Sequence, residues 1–562
     1  METERYIWNF LPSVNLMDIT LLSRKLGVHP VVSKILLQKE YNLQKSREFL
    51  DSNLEKLSSP YLFKDMKKAV SRIVQAIENN EKIRIYGDYD ADGVCATAVM
   101  QLTLQQLGAN VVPVIPNRLT EGYGLTEEVI QRFYRENVNL IITVDNGIKS
   151  FDEVKLANQL DIDVIITDHH ICDPQLPEAL AVLNPFLEQD MTPFAGCGVA
   201  FQLSRALEME VGGFNALELM DIVAIGTYAD IVPIIKDNRI IVIEGLKLIS
   251  GENHTGITAL LNTAGRKPKL IGELDLGFIL GPRLNSAGRI GKAEKALELL
   301  SVKNDINAAM IFARELESYN DWRKIKMEDI EKQATAMIEA KEEIPYGIVL
   351  MNQDWHLGVI GLGASKLAEL YNRPSILLKD LGGYAKGSGR SPVKEFNLIE
   401  VLDLCSSLLD VYGGHSQAVG LTIKIDNVPA FKQEFNRYSK TMFKNIPSKQ
   451  TININGEFLP SYDDFKLITD LKKLSPFGLG NEKPLFLARK VSFIDPREVG
   501  SGHLKAQLIT NKGRIDCIGF NLSYLIKDIK QKPQDVVYSL RQNNWNNRTT
   551  IQVNIIDVRP SE

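Results

Sequence analysis

The residues best suited to chemistry lie in "EKIRIYGDYDADGVCATAVM", residues 81–100, where a short apolar run leads into carboxylates at alternate positions, Asp88, Asp90 and Asp92. Like charges this close repel, so a loop that gathers them needs a metal ion or several basic partners. A single aspartate here would be read as a helix cap. Further stations follow: Asp145 ends "NLIITVDNG", the triplet Asp168, His169, His170 ends "DVIITDHH", and Asp230 sits in "GTYADIVP". Three of the four stations end an apolar strand, and a parallel sheet would bring them to one rim. Taken one at a time, a strand-end Asp caps a helix and a His is a hydrogen-bonded neutral side chain; all four on one edge would be a coincidence. Oxygen-rich ligands with an imidazole suit Mn²⁺ or Mg²⁺ better than zinc. Two such ions, about 3.5–4 Å apart, would clamp a phosphoryl group and activate a water, so phosphoester hydrolysis is the expected reaction. No G-x-S-x-G elbow or Cys-His signature supports nucleophilic Ser or Cys catalysis.

The elements that must hold these residues follow from periodicity. After Gly93, "VCATAVMQLTLQQLG" has a helical pattern. From 81 to about 235, "KIRIYG", "ANVVPVIP", "VNLIITVDNG", "IDVIITDHH" and "LMDIVAIGTYADIVP" read as β-like runs alternating with helices. Continuous Val/Ile runs suit strands buried on both faces, which predicts a parallel α/β sheet. Residues 1–80 read as a helical preface, 81–291 as the catalytic α/β domain, and 292–343 as a long linker helix. A smaller α/β domain is expected over 344–450. Residues 451–562, with "TININGEF", "LFLARKVSFI" and "TIQVNIIDV", read as a small OB-type β-barrel.

Composition limits the class. The 562 residues divide into three or four domains by size. No apolar run approaches a membrane span and "METERYIWNF" is no signal peptide, which predicts a cytoplasmic protein with no membrane partner. Five cysteines without a C-x-x-C pair argue against a thiolate site or a disulfide framework. The net charge of −5 is not that of a typical nucleic-acid binder, but residues 451–562 hold 16 Lys+Arg against 12 Asp+Glu.

"GDYDADG", "VDNG", "DHH" and "ADIVP" resemble motifs I to IV of the DHH phosphoesterase superfamily, and "GGHSQAVG" resembles the signature of its companion domain. "IPNRLTEGYGL", "GPRLNSAGRIG", "WHLGVIGLGASKLAE" and "LSPFGLGNEKPLF" place the resemblance in the branch that degrades single-stranded DNA from its 5′ end. The resemblance implies Asp90, Asp92, Asp145, His169 and Asp230 as metal ligands, with Asp145 bridging and Asp88 in either the first or the second shell. Asp168 would orient its neighbour and His170 would face the scissile phosphate. Smaller members have a His where this chain has Tyr86. Arg118, Arg289, Gly387, Ser388, Arg390 and His415 match positions that hold a 5′-phosphate. Phe477, Phe486, His503, Lys505 and Trp545 are the barrel's candidates for gripping a strand. The implied function is an exonuclease that threads single-stranded DNA between the two α/β domains and releases nucleoside 5′-monophosphates, in recombination and repair. Single-strand-binding protein and a RecQ-type helicase are the implied partners of a monomer. The chain's end just after the barrel implies that a further partner-binding domain of some relatives is missing. Two rivals are a phosphodiesterase for short oligonucleotides or cyclic dinucleotides, which would not need the barrel, and a non-catalytic scaffold, which would have lost ligands.

Overall fold

The computed structural model describes residues 5–122, 124–443, 449–461, 464–500, 502–510, 512–530, 532–545 and 548–561. Contacts divide the chain into two units, one of Asn53–Ile446 with Gly478–Gly480, the other of Met1–Ser52, Pro447–Phe477 and Asn481–Glu562.

The larger unit begins with the sheet that the apolar runs predict. Its strand order is Asn110–Val114, Lys82–Tyr86, Leu140–Val144, Asp163–Thr167, Ala181–Leu183, all parallel. The central strand Leu140–Val144 is buried throughout, as a strand with both faces covered must be. One face packs on the helices Ala91–Gln106, Gly196–Val211 and Met220–Ala229, and the other on Glu127–Arg135 and Phe151–Gln159. One run departs from its β-like reading. "MDIVAIGTYA" is a helix, Met220–Ala229, almost wholly buried, and a helix apolar on all sides has no amphipathic stripe to distinguish it from a buried strand.

Residues 292–343 hold two helices, Glu294–Ser301 and the 34-residue Ile306–Glu339. They lead to a second sheet ordered Val411–His415, Ala418–Lys424, Tyr384–Arg390, Ser375–Asp380, Ile348–Asn352, parallel only between the last two. Helix Leu357–Tyr371 packs on this sheet and on the linker helix.

In the smaller unit, Phe486–Val499, His503–Thr510, Gly513–Gly519, Arg548–Pro560 and Gln534–Trp545 pair in that order, and the last pairs back with the first. The sheet thus closes into a five-stranded barrel, which leaves no open edge. The N-terminal segment adds a strand that the helical reading of 1–80 did not include: Tyr6–Phe10 pairs in parallel with Gln450–Ile454. Leu22, Val28, Val32, Ile35 and Leu36 share one apolar core with the barrel, whereas helix Met66–Glu78 belongs to the core of the parallel sheet. The expected preface is therefore split between the two units.

Candidate metal centre and phosphate site

The four acidic stations converge at the carboxyl end of the parallel strands. Asp90 caps helix Ala91–Gln106, its Oδ1 accepting from the Asp92 and Gly93 amides at 2.9 and 3.0 Å. Asn285 Oδ1 accepts from the Ala91 amide at 2.9 Å and fixes the loop from the other side. Asp92 points across to helix Gly196–Val211, whose Gly196 and Cys197 amides donate to its two oxygens at 2.6 and 2.9 Å. Asp145 adopts φ +63°, a left-handed conformation that costs an aspartate about 1 kcal/mol and is typical of functional turns. Asn146, a residue the sequence reading passed over, donates to the Tyr86 and Val144 carbonyls and ties two strand ends together.

Three overlapping sets of ligand atoms result: Asp88, Asp90 and Asp145; Asp92, His169 and Asp230; and Asp145, His169 and His170, each with its atoms within 4.8 Å of one another. His169 Nε2 lies 3.1 Å from Asp145, 3.7 Å from Asp230 and 3.8 Å from Asp92. Asp88 is thus among the clustered carboxylates, and its Oδ1 is buried with no hydrogen-bond partner among the described residues. Tyr86 offers nothing to the cluster, since its hydroxyl donates to the Gly124 carbonyl at 3.0 Å.

The electrostatics fit divalent cations. Burial, then repulsion from neighbouring aspartates, pushes Asp88, Asp90 and Asp145 above the ordinary carboxylate range, and the same causes raise Asp230 to about 9. Such a cluster ionises fully only when positive charge enters it. Burial lowers the His169 pKa and keeps the imidazole neutral, the form that ligates metal. An orphaned oxygen, several hard oxygen donors and one neutral imidazole match Mn²⁺ or Mg²⁺.

Asp168 is arranged differently. Its Oδ1 accepts from the His169 and His170 amides at 2.7 and 3.1 Å and lies 2.7 Å from His170 Nδ1, while Oδ2 accepts from the Ile148 amide at 3.0 Å. Burial alone would raise its pKa, but these bonds hold it below the usual value. Burial likewise works against charge on His170, and the Asp168 bond and charge outweigh it, raising the His170 pKa. His170 faces a cavity of about 450 Å³ lined also by Lys149, Ser150, Glu153 and His415.

A glycine sets how closely these parts approach. A Cβ on Gly196 would stand 2.5 Å from Asp145 Oδ1 and Cβ. Gly196→Ala should therefore push Asp145 off its ligand position and cost about 1–3 kcal/mol of stability by overpacking. Thermal unfolding and Mn²⁺-dependent activity should both fall, whereas Gly420→Ala, whose Cβ would meet nothing nearer than 4.0 Å, should change neither.

The arginine stations gather beside the metal ligands. Tyr89, between Asp88 and Asp90, carries the Arg118 guanidinium 4.9 Å from its ring centroid. Arg289 donates to the Gly358 carbonyl at 3.0 Å, and Arg390 to Ser388 Oγ at 2.9 Å and the Gly389 carbonyl at 2.7 Å. Burial lowers the Arg289 pKa to about 9, followed by the like charges of Arg118, Arg323 and Arg390. Gly387 has a packing reason instead: a Cβ there would stand 2.4 Å from Leu378 Cδ2. The glycine that keeps the pocket open is Gly361, whose Cβ would come 3.0 Å from Ser388 Oγ and 3.1 Å from Arg390 Nη2.

Of the barrel residues, Phe486 is core, packed against the rings of Phe458 and Tyr538, which corrects its reading as a strand contact. Phe477 packs partly on the same core, and His503 meets Phe520 edge to face. Lys505 is half-exposed on the barrel wall opposite Arg497. The Trp545 side chain lies outside the described residues.

A parallel sheet with aspartates and a histidine pair at its carboxyl rim, joined by a helix to a second domain bearing a Gly-Gly-His strand, defines a DHH-type phosphoesterase. The profiles "DHH family, N-terminal domain", "DHHA1 domain" and "RecJ OB domain" match residues 82–227, 344–441 and 454–557. The single-stranded-DNA-specific exonuclease RecJ of Bacillus subtilis is 37% identical over 555 residues, covering 96% of this chain and 69% of that protein. RecJ of Thermus thermophilus in complex with Mn²⁺ superposes with a TM-score of 0.86 at 30% identity, over 99% of this chain and 80% of that one. Its complex with Mg²⁺ gives 0.79 at 29% identity, over 99% and 79%. The chain belongs to the RecJ family, and divalent metal ions are its cofactors.

Proposed function

We propose that the protein is a metal-dependent exonuclease that hydrolyses single-stranded DNA from its 5′ end to nucleoside 5′-monophosphates. The observation that carries the direction is the contact of Arg118 with Tyr89, a residue flanked by Asp88 and Asp90: the guanidinium group stands one residue from the carboxylates. A 5′-phosphate held by Arg118, Arg289, Ser388 and Arg390 leaves the next phosphodiester at the acidic rim, and His415 lines the cavity that His170 faces.

In this reading Asp88, Asp90, Asp92, Asp145, His169 and Asp230 hold two cations, which supply Lewis-acid charge to the scissile phosphate and the attacking water. The bond broken joins phosphorus to the 3′-oxygen of the terminal nucleotide. His170, charged by its contact with Asp168, gives that oxygen its proton. Water's oxygen stays on the phosphate of the shortened strand, which becomes the new 5′ end.

The barrel supplies a grip on the strand, with Phe477 and Lys505 as the residues to test. We place the domain limits at 81–291, 292–343, 344–450 and 451–562, and the protein in the cytoplasm as a monomer acting in recombination and repair with single-strand-binding protein and a RecQ-type helicase. No helix among the described residues is long and apolar enough to cross a membrane.

With Mn²⁺, a 5′-labelled single strand should release labelled mononucleotide as the first product, while duplex of the same sequence stays intact. Release from the 3′ end, or of internal fragments, would refute the direction.

A further inference from the structure

The cavity of about 450 Å³ beside His170 has the volume of a small-ligand site, about 300–1,000 Å³. One wall is the segment that leads from strand Leu140–Val144 into helix Phe151–Gln159, and His415 of the second sheet supplies another. That helix starts uncapped. Ser150, Phe151, Asp152 and Glu153 have the Ser-x-x-Glu spacing of a capping box, but the Ser150 side chain makes no bond to the first turn. Ser150 stands at φ −89°, ψ 60°, away from the extended backbone that capping uses, and its amide already donates to the Gly147 carbonyl at 3.0 Å. The hydroxyl is left over. Ser150 is 7% exposed and lines the cavity, and its Oγ has no hydrogen-bond partner among the described residues. The amides of Phe151 and Asp152 have no acceptor within the helix, where aligned peptide dipoles leave about half a positive charge. Lys149 adds a whole one. It makes no ion pair among the described residues. Burial lowers the His415 pKa, and Lys149, on the same cavity, lowers it further.

We propose that Lys149, Ser150 and the first amides of helix Phe151–Gln159 form a second phosphate subsite, which holds the phosphodiester next after the scissile one on its 3′ side. The inference rests on the 5′-end reading above. Position and charge carry it. The guanidinium of Arg118 lies at Tyr89, between Asp88 and Asp90, whereas the cavity opens from Asp168 and His170. Asp145 joins the two ends, in one ligand set with Asp88 and Asp90 and in another with His169 and His170. A strand with its 5′ end on the arginines and its first diester at the carboxylates therefore sends its next phosphate toward the cavity. The donors there are a lysine, a hydroxyl and two helix-start amides, which suit the two free oxygens of a diester. The charge suits it too. Glu153 also lines the cavity and offsets Lys149, so what remains is the helix dipole. That is enough for the single charge of a backbone diester and too little for the nearly two of a terminal monoester near neutral pH. The strand is thus held on both sides of the metal centre.

The test uses two 5′-phosphorylated substrates: a dinucleotide, whose one diester is the scissile one, and a trinucleotide, which has the next diester as well. With Mn²⁺, kcat/KM for release of the first nucleotide should be higher for the trinucleotide. Lys149→Gln should lower this preference about tenfold, the worth of one charge-assisted hydrogen bond, whereas a general loss of structure would slow both substrates and keep their ratio. A trinucleotide whose second linkage is an uncharged methylphosphonate probes the same contact from the strand. Wild type should use it about tenfold less well than the natural trinucleotide, and Lys149→Gln should distinguish the two less. Ser150→Ala should reduce the preference by a smaller factor without lowering Tm, because its hydroxyl caps nothing. A lower Tm with the preference intact would make Ser150 an ordinary helix cap and overturn its place in the subsite. If wild type releases the 5′ nucleotide first but shows no preference for the trinucleotide, or accepts the neutral linkage as readily, the subsite is overturned and the 5′-end reading stands. Release of the 3′ nucleotide first overturns both.

Discussion

Asp145→Asn should lower kcat on 5′-phosphorylated single strands by about a thousandfold or more, with Mn²⁺ present, while the protein stays folded. Asp145 is the one carboxylate that belongs both to the set with Asp88 and Asp90 and to the set with His169 and His170, so its loss disturbs both halves of the centre. Asparagine keeps the shape and tolerates the φ of +63° that alanine would strain. Stability should move the other way. Asp145 has its pKa raised in the fold by burial and by Asp92, Asp90 and Asp88, above the unfolded value of about 3.9. The metal-free folded state therefore binds more protons than the unfolded chain, and its stability falls as pH rises from the unfolded value to the folded one. Removing the charge removes that loss, so in EDTA at neutral pH the variant should melt no lower than wild type. Mn²⁺ should raise the wild-type Tm by mass action and raise the variant's much less. Wild-type turnover by Asp145→Asn, or an undiminished Mn²⁺ shift, would remove Asp145 from the centre.

Much of this centre was legible because it is written in strand ends. Asp88, Asp145 and Asp168 each close an apolar run, and parallel pairing needs no further information to bring such residues to one edge. Asp230 arrives there from the end of a buried helix, which sequence alone could not separate from a strand. Contacts made at a distance were not legible at all. The pairing of Tyr6–Phe10 with Gln450–Ile454 depends on a partner more than four hundred residues away, and an apolar helix stripe near the N-terminus does not say which core it will join. The arginines divide the same way. Arg118, Arg289 and Arg390 stand in glycine-rich segments, a loop, a helix end and a strand, that invite attention, whereas Arg323 sits in a run of charged helical residues where a solvated side chain is the ordinary reading. Its Nε is nonetheless buried, with no hydrogen-bond partner among the described residues, which only the fold could show. Gly387 and Gly361 exchange roles for a similar reason, since what a Cβ would strike depends on the cross-strand neighbour and not on the local motif.

His170→Ala should lower kcat by about a hundredfold to ten-thousandfold and leave KM for single-stranded DNA within a few-fold, because the ring acts on the proton of the departing 3′-oxygen more than on strand binding. Asp168→Asn should cost about tenfold to a hundredfold, the usual penalty for loosening a residue that orients another. The two effects should not add, since Asp168 acts through the ring it holds at 2.7 Å. The pH profile separates this role from a structural one. Burial opposes the His170 charge and Asp168 restores it, for a net rise above the ordinary imidazole value. If the charged ring donates the proton, kcat declines on the alkaline side as pH passes the His170 pKa. Asp168→Asn removes the raising influence, so the decline should begin at lower pH, and His170→Ala should abolish that limb. A variant that is slower by the same factor at every pH would mean that Asp168 only braces the loop and that the proton comes from elsewhere.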